Sequence, residues 1–477
     1  MPHNPFFSVV ALLIKTLTLP NPNLISQLLL PLPLRYSPVT ALNSLLRQLL
    51  RCGRFPQALA LFSAALEAKT SPLDCFSFSI MIHGFCFSGQ LRGALDLLTL
   101  FESRGGPPNV VMYTTLIDGC CKNGDLEEAE RLFKRIGEVG LVPNELTYTV
   151  MINGYFRHGL QRHGFDLYNE MRGKGVLPNL YTYNSLIAEC CRCRDLDRAF
   201  KLFDEMRESG VSHNVVTYNT LLGGLCREKR TTDALKLFDK MTKEGIRPNL
   251  ITFNLLIDGY GKEGNMSKAM STLDYMKVSG FLPNIVTYNM LINGFSQAGD
   301  LVGTANIYRE MKERDLSPTK VTYTILIDAF ARGNDMKRAF DVYYAMERAG
   351  KEVDVYTYGV LMRGLCEEGN LKDAWKLFES MSEKKQKPSN VIYDTMIYGH
   401  CKEGSSYRAL RLVKEMRDNG LVPNVASYGL TIRLLVKDGK LCEAEALLNE
   451  MVLFGLPVSD SICRALYDAK MRSHSNS

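Results

Sequence analysis

The sequence predicts an all-α fold, an α-solenoid of tandem helix-turn-helix repeats, and three observations predict it. A 35-residue period runs in register from residue 39 to residue 459. Each period holds two stretches of apolar residues at helical spacing, and most close on a glycine and a proline that a helix does not continue through. The segment Val110–Asn144, VVMYTTLIDGCCKNGDLEEAERLFKRIGEVGLVPN, serves as the unit, and its final residue recurs as Asn179, Asn214, Asn249 and Asn284. A methionine at unit position 27 recurs without slip at Met171, Met206, Met241, Met276, Met311, Met346, Met381, Met416 and Met451. Counting outward, units start at residues 39, 75, 110, 145, 180, 215, 250, 285, 320, 355, 390 and 425, twelve in all, the first of 36 residues and the rest of 35.

Within the unit, Tyr113, Leu116, Ile117 and Cys120 mark the first helix, and Leu126, Ala129, Leu132, Phe133 and Ile136 mark the second. Asn123-Gly124 separates them, and Asp125, Glu127 and Glu128 put negative charge where the second helix's dipole favours it. Gly140 can take a left-handed helix stop, and Pro143 prevents continuation. One hairpin cannot bury its apolar face alone; twelve stacked bury a continuous core, with a concave surface built mainly from the first helices. Alanine at position 20, as in Ala129, Ala199, Ala234 and Ala269, suits close helix approach, while Tyr or Phe at position 4, from Phe78 to Tyr428, and Met at position 27 read as core. Residues 460–477 are expected to add a C-terminal capping helix and tail around Ile462, Leu466 and Met471.

With 46% hydrophobic and 23% charged residues over 477 positions, a disordered chain, a collagen and a small disulfide scaffold are all excluded. No Pro/Ser-rich linker interrupts the array. The formal net charge is +6, of which residues 1–66 supply five through Lys15, Arg35, Arg47, Arg51 and Arg54, with no acid. The other 411 residues carry 52 basic and 51 acidic groups, so bulk charge gives no warrant for nucleic-acid binding, and only the placement of charge can. Residues 1–38 are apolar, Pro-rich and acid-free, with Ser8, Thr16, Thr18, Ser26 and Ser37, and are expected to be an organellar transit peptide. The apolar run Val9–Ile14 is too short to span a membrane, and no membrane partner is expected.

Six of the thirteen cysteines, Cys86, Cys121, Cys191, Cys226, Cys366 and Cys401, occupy one recurring helical position, which reads as buried thiols rather than disulfides. The cluster Cys190, Cys191, Cys193 has no second cluster at zinc spacing, so no metal is expected. The sequence holds no Walker A loop, no H-E-x-x-H and no G-x-S-x-G, and His158 and His163 do not share a helical face. Neither a catalytic site nor a cofactor is expected.

The unit reads V-T-Y-N-x-L-I-x-G, C-K-x-G, A-x-x-L-F-x-x-M and G-x-x-P-N, with VVTYN at Val215–Asn219 and IVTYN at Ile285–Asn289. It closely resembles the pentatricopeptide repeat (PPR) family over 421 of 477 residues, and the uniform spacing resembles the P class. The resemblance implies a right-handed superhelical solenoid that binds single-stranded RNA, one nucleotide per repeat, read by the fifth and last side chains of each unit. Those pairs are Asn43/Asp74, Ser79/Asn109, Thr114/Asn144, Thr149/Asn179, Asn184/Asn214, Asn219/Asn249, Asn254/Asn284, Asn289/Thr319 and Thr324/Asp354, followed by Gly359/Ser389, Asp394/Asn424 and Gly429/Ser459. It also implies an organellar location, mitochondrial by preference with the chloroplast as alternative. A monomer is expected, with other RNA-processing proteins as further partners.

Uracil and guanine present a ring N–H on the Watson–Crick edge, whereas adenine and cytosine present a ring acceptor. An ionised Asp only accepts, so it suits uracil or guanine, while an Asn amide also donates and suits adenine or cytosine. The family correlation adds that Thr or Ser at the fifth position goes with purines and Asn with pyrimidines. With RNA parallel to the repeats, the expected site is U-A-A-A, four pyrimidines with cytosine favoured over uracil for the three pairs ending in Asn, then G. The last three pairs depart from the common combinations and are left open.

Two accounts compete at each recurring polar or apolar position. Asn or Asp at the unit end also precedes a helix, where it is a good N-cap. Position 13 holds Arg51, Lys122, Arg157, Arg192, Arg227, Lys262, Arg332, Lys402 and Lys437, a stripe suited to phosphates, or to helix ends that favour cations. Position 2 holds Phe76, Val111, Leu146, Tyr181, Val216, Ile251, Val286, Val321, Tyr356 and Val391, which the resemblance places beside the bases and ordinary inter-repeat packing would bury. A protein-binding helical-repeat scaffold of the tetratricopeptide type is the second functional reading, although its 34-residue period and Trp/Gly pattern are missing.

Overall fold

The computed structural model describes residues 38–67, 73–384 and 386–475. Among the described residues there are 25 helices and no strand. The expected leader at residues 1–38 lies outside them except for Pro38, which opens the first helix. The chain divides into two compact units, one up to Leu221 and one from Leu222 onward. Hairpins of the first unit run from Pro38–Arg51 with Phe55–Glu67 to Leu180–Arg192 with Leu196–Glu208; helix Val215–Arg227 holds the division point. In the second unit they run from Leu250–Glu263 with Met266–Val278 to Val425–Lys437 with Leu441–Leu453, closed by Asp460–Ser475.

The same packing recurs in both units. Val110–Asn123 lies against Leu126–Glu138, its own hairpin partner, and against Glu145–Arg157, the first helix of the following repeat. Leu250–Glu263 likewise lies against Met266–Val278 and Ile285–Gln297. Each of these first helices is therefore covered on two sides; on the remaining side positions 2 and 13 are exposed, while position 5 is buried to half-buried. The turn chemistry follows the sequence: Gly124 ends its helix at φ 87°, Gly140 adopts φ 76°, and the Asp125 carboxylate accepts from the Glu128 N–H at 3.1 Å.

Positions 4, 20 and 27 form the core in both units, with Tyr113, Ala129 and Met171 in the first and Tyr288, Ala269 and Met311 in the second all fully buried. Several of these tyrosines keep their polar ends bonded, as Tyr288 donates to Glu310 at 3.0 Å and Tyr428 to Glu450 at 3.0 Å. All thirteen cysteines are free thiols, and among the described residues no group of three His, Cys, Asp or Glu could hold a metal ion. Of the six at the recurring position, Cys121, Cys191, Cys226 and Cys366 are buried and Cys86 and Cys401 half-buried. Burial above all pushes the Cys226 thiol up to about 12. The closing helix buries Ile462 and Leu466 but leaves Met471 52% exposed, so two apolar residues, not three, seal the last repeat. No helix among the described residues is long and apolar enough to cross a membrane.

Candidate nucleic-acid interface

The last residue of most units caps the helix that follows through its side chain. Asn144 Oδ1 accepts from the Thr147 N–H at 2.9 Å, Asn179 from Thr182 at 3.0 Å, Asn249 from Thr252 at 3.0 Å and Asn284 from Thr287 at 3.1 Å. Thr319 and Asp354 cap their helices in the same way. The capping account of this position therefore holds. Capping also fixes the amide: with Oδ1 turned to the helix, Nδ2 is the group an Asn has left to offer, while an Asp has left a second acceptor oxygen. At Asp354, burial alone would raise the carboxyl, but the Thr357 N–H, the Thr357 hydroxyl and Lys320 outweigh it and hold the group below the usual carboxylate range. It is ionised at neutral pH.

A third position ties the pair together, and the sequence reading passed over it. Where position 3 of the following repeat is Thr or Ser, its hydroxyl reaches back to position 5 in several repeats. Thr217 donates to Asn184 Oδ1 at 2.7 Å, Thr287 to Asn254 Oδ1 at 2.8 Å and Thr322 to Asn289 Oδ1 at 2.8 Å. These hydroxyls also lie 3.1 to 3.2 Å from the capping oxygens of Asn214 and Asn284. Asn184, Asn254 and Asn289 are thus anchored through the oxygen, with the NH₂ turned away from that bond. Where position 5 is Thr, the polarity reverses. Thr114 and Thr149 donate to the carbonyls of Val110 and Glu145 at 2.7 Å and share a second bond with Thr147 and Thr182 at 2.7 Å. Having given its proton to the carbonyl, such a threonine has only an acceptor lone pair left. Thr324 makes the same two bonds, to Lys320 at 3.0 Å and Thr357 at 3.1 Å.

The remaining donor of Asn matches the O2 carbonyl that both pyrimidines carry. The remaining acceptor of Thr matches the exocyclic amine that both purines carry. Departures occur at the ends of the array. Asn43 donates to Asp74 at 3.0 Å and accepts from Ser77 at 2.7 Å, and Asn424 donates to Asp394 at 2.9 Å, so these two pairs are closed on themselves. Asn109 donates to the Cys75 sulfur at 2.8 Å, Ser79 to the Cys75 carbonyl at 2.8 Å, and Asp354 pairs with Lys320 at 3.2 Å.

Exposure at position 2 weighs against the packing account. All ten residues, from Phe76 to Val391, are between 50% and 72% exposed, which inter-repeat packing would not leave them. In its own repeat each stands about one helical turn before position 5, on the same face. All nine basic residues at position 13 are exposed as well. Four are already held by a carboxylate on their own helix: Lys122 by Asp118 at 2.5 Å, Lys262 by Asp258 at 2.5 Å, Arg192 by Glu189 at 2.5 Å, and Arg332 by Asp328. Lys402 donates instead to the Glu367 carbonyl at 2.7 Å.

The sequence profile of the PPR repeat family matches residues 108–157, 147–192, 178–227, 213–259, 248–297, 283–332, 321–367 and 388–437. The PPR repeat profile adds residues 76–106, 356–385 and 426–456. The chain belongs to the pentatricopeptide repeat family. Repeats 2 to 12 fall within the matched spans; the helices Pro38–Arg51 and Phe55–Glu67 of the first repeat lie outside them. Among solved structures, the chain is similar to the pentatricopeptide repeat protein PPR10 from maize, at 23% identity, 92% of this chain, 77% of that chain and a TM-score of 0.59. That likeness is one of fold. PPR10 in complex with an 18-nt psaJ RNA element aligns at 20% identity over 97% of this chain and 91% of that one, with a TM-score of 0.45. Yeast Rmd9p in complex with a 16-nt target RNA aligns at 14% identity over 91% and 89%, with a TM-score of 0.38. No curated protein sequence matches the chain.

Proposed function

We propose that this PPR chain, of the P class, binds single-stranded RNA sequence-specifically, one nucleotide per repeat, as a monomeric and non-enzymatic adaptor in an organelle. The observation that carries the reading is the solvent-exposed apolar row at position 2, set beside position-5 side chains whose inner groups are anchored and whose outer groups are donors for Asn and acceptors for Thr. A base stacked against that row meets one polar reader from position 5 and one from the unit end. A peptide-binding scaffold gives no reason for reader polarity to alternate with the residue type.

Because Asn43/Asp74 is closed on itself, the read segment is A-A-A, four pyrimidines and G, with the first uracil weakly specified. Selection from a random pool of single-stranded RNA tests this. The expected result is enrichment of a pyrimidine run following adenines; a pool left unenriched overturns the assignment, and a purified complex insensitive to RNase favours the tetratricopeptide-like alternative. Covering an RNA terminus would block exonucleases, and opening a hairpin would expose a splice or translation signal. Import to mitochondria, or alternatively chloroplasts, is read from residues 1–38, and microscopy of the fluorescently tagged chain decides between them.

Charge adds a quantitative test. Nine phosphate contacts would give a log–log salt slope of roughly −6 for a single strand. A Lys–Asp or Arg–Glu pair is net neutral and displaces no counterion. With four of the nine paired, the slope should be about −3.5. Titrating affinity against potassium chloride measures it, and a slope near −6 would mean that RNA breaks those pairs open.

A further inference from the structure

Repeats 10 and 12 lack the reading pair in its usual form. Position 5 is Gly359 or Gly429, and the residue facing it from the next helix is Ile392 or Ile462 in place of the usual Thr or Ser. A Cβ on Gly359 would lie 3.8 Å from Ile392, and one on Gly429 3.2 Å from Ile462. The two exchanges belong together. An isoleucine offers no hydroxyl to anchor an Asn, which would then be buried with its oxygen unpaired. Position 9, one helical turn further on the same face, changes with them: it is Arg363 and Arg433 in these repeats, whereas repeats 3 to 9 carry Asp, Asn, Ala or Gly there.

A pocket of about 330 Å³ lies at Gly359, lined among others by Tyr356, Arg363, Ser389, Val391 and Ile392. Tyr356 and Val391 are 58% and 56% exposed and present apolar faces to it, while Gly359 and Ile392 offer no side-chain hydrogen bond. Asp328 and Arg332, also at the pocket, are bonded to each other at 3.1 Å. Ser389 makes no side-chain cap bond, unlike the Asn and Asp residues at this position.

We propose that Arg363 reads the nucleotide of repeat 10 and selects guanine. This rests on the RNA-binding reading above. A guanidinium offers only donors, arranged as a rigid fork. Guanine alone presents two adjacent acceptors, O6 and N7, to such a fork; adenine places an amine where O6 would be, and the pyrimidines have no N7. Arg433 in repeat 12 is turned to Ser461, at 3.0 Å, so the assignment is made for repeat 10.

The test uses the full chain and four synthetic RNAs that carry A-A-A, the pyrimidine run and G, and differ only in the next nucleotide. Anisotropy titrations should find the guanine RNA bound about 10-fold more tightly than the other three. Arg363→Ala should bring all four within about 2-fold of one another, and Arg363→Lys, which keeps the charge and loses the fork, should do the same at higher overall affinity. If Arg363→Ala weakens all four equally while the guanine preference survives, Arg363 meets a phosphate and the proposal fails. Equal binding of the four RNAs by the unmodified chain also overturns it. Binding of none of them overturns the RNA-binding reading itself, and this assignment with it.

Discussion

Exchanging Asn249 and Asn284 for aspartate together should move the preferred base from cytosine to uracil at two positions of the bound RNA. Each Asn caps a helix through Oδ1, at 3.0 and 3.1 Å from the N–H of Thr252 and Thr287. Aspartate caps as well as asparagine and adds a favourable charge at the helix N-terminus, so stability should hold or rise slightly. What changes is the outer atom. An NH₂ that donates to the N3 acceptor of cytosine becomes an oxygen that accepts from the N3–H of uracil. Each exchange should shift discrimination by about 1 to 3 kcal/mol, and the two sites lie in different repeats, so their effects should roughly add. Competition between C- and U-bearing RNAs measures the switch. The design separates the two roles of this position, because a purely structural cap predicts unchanged stability and unchanged base preference. An unchanged preference would remove the unit-end residues from the reading surface.

The hairpins and their core were legible because one apolar pattern is written twelve times, and a pattern that repeats in register cannot be an accident of composition. Tyr113, Ala129 and Met171 sit where the period put them. Position 2 was not legible. Helical spacing says which residues share a face, but the next repeat decides whether that face is covered, and Val216 reads the same in sequence whether buried or 52% exposed. The orientation of the Asn184 amide was also out of reach, since the Thr217 hydroxyl that sets it lies 33 residues away and belongs to the next repeat. Its signal was nonetheless present, in the Thr that recurs at position 3 of repeats 4 to 10. The neutralisation of Lys122 and Lys262 could have been read as well. Asp118 and Asp258 stand four residues before them, a spacing visible along one helix but lost when the chain is read by unit position.

Gly259→Val should destabilise the second unit strongly, costing about 3 kcal/mol. A Cβ at Gly259 would sit 2.5 Å from the Cys226 sulfur and 2.9 Å from its Cβ, and neither atom can swing away, because the thiol is buried between two helices. The same contact recurs between Gly119 and Cys86 and between Gly399 and Cys366, each at 2.6 Å. This explains why glycine is retained in mid-helix despite a propensity cost of about 1 kcal/mol. It also gives the recurring cysteine a role in close packing. Since each repeat is stabilised by its neighbours, the damage should stay near repeats 6 and 7. Urea unfolding measures the loss, and alkylation locates it: a thiol raised to about 12 is unreactive near neutral pH while buried and becomes accessible only when this junction opens. Adding Cys226→Gly to the valine variant removes the clashing atoms and should recover part of the loss. A double variant no more stable than Gly259→Val alone would show that this contact does not set the spacing of the helices.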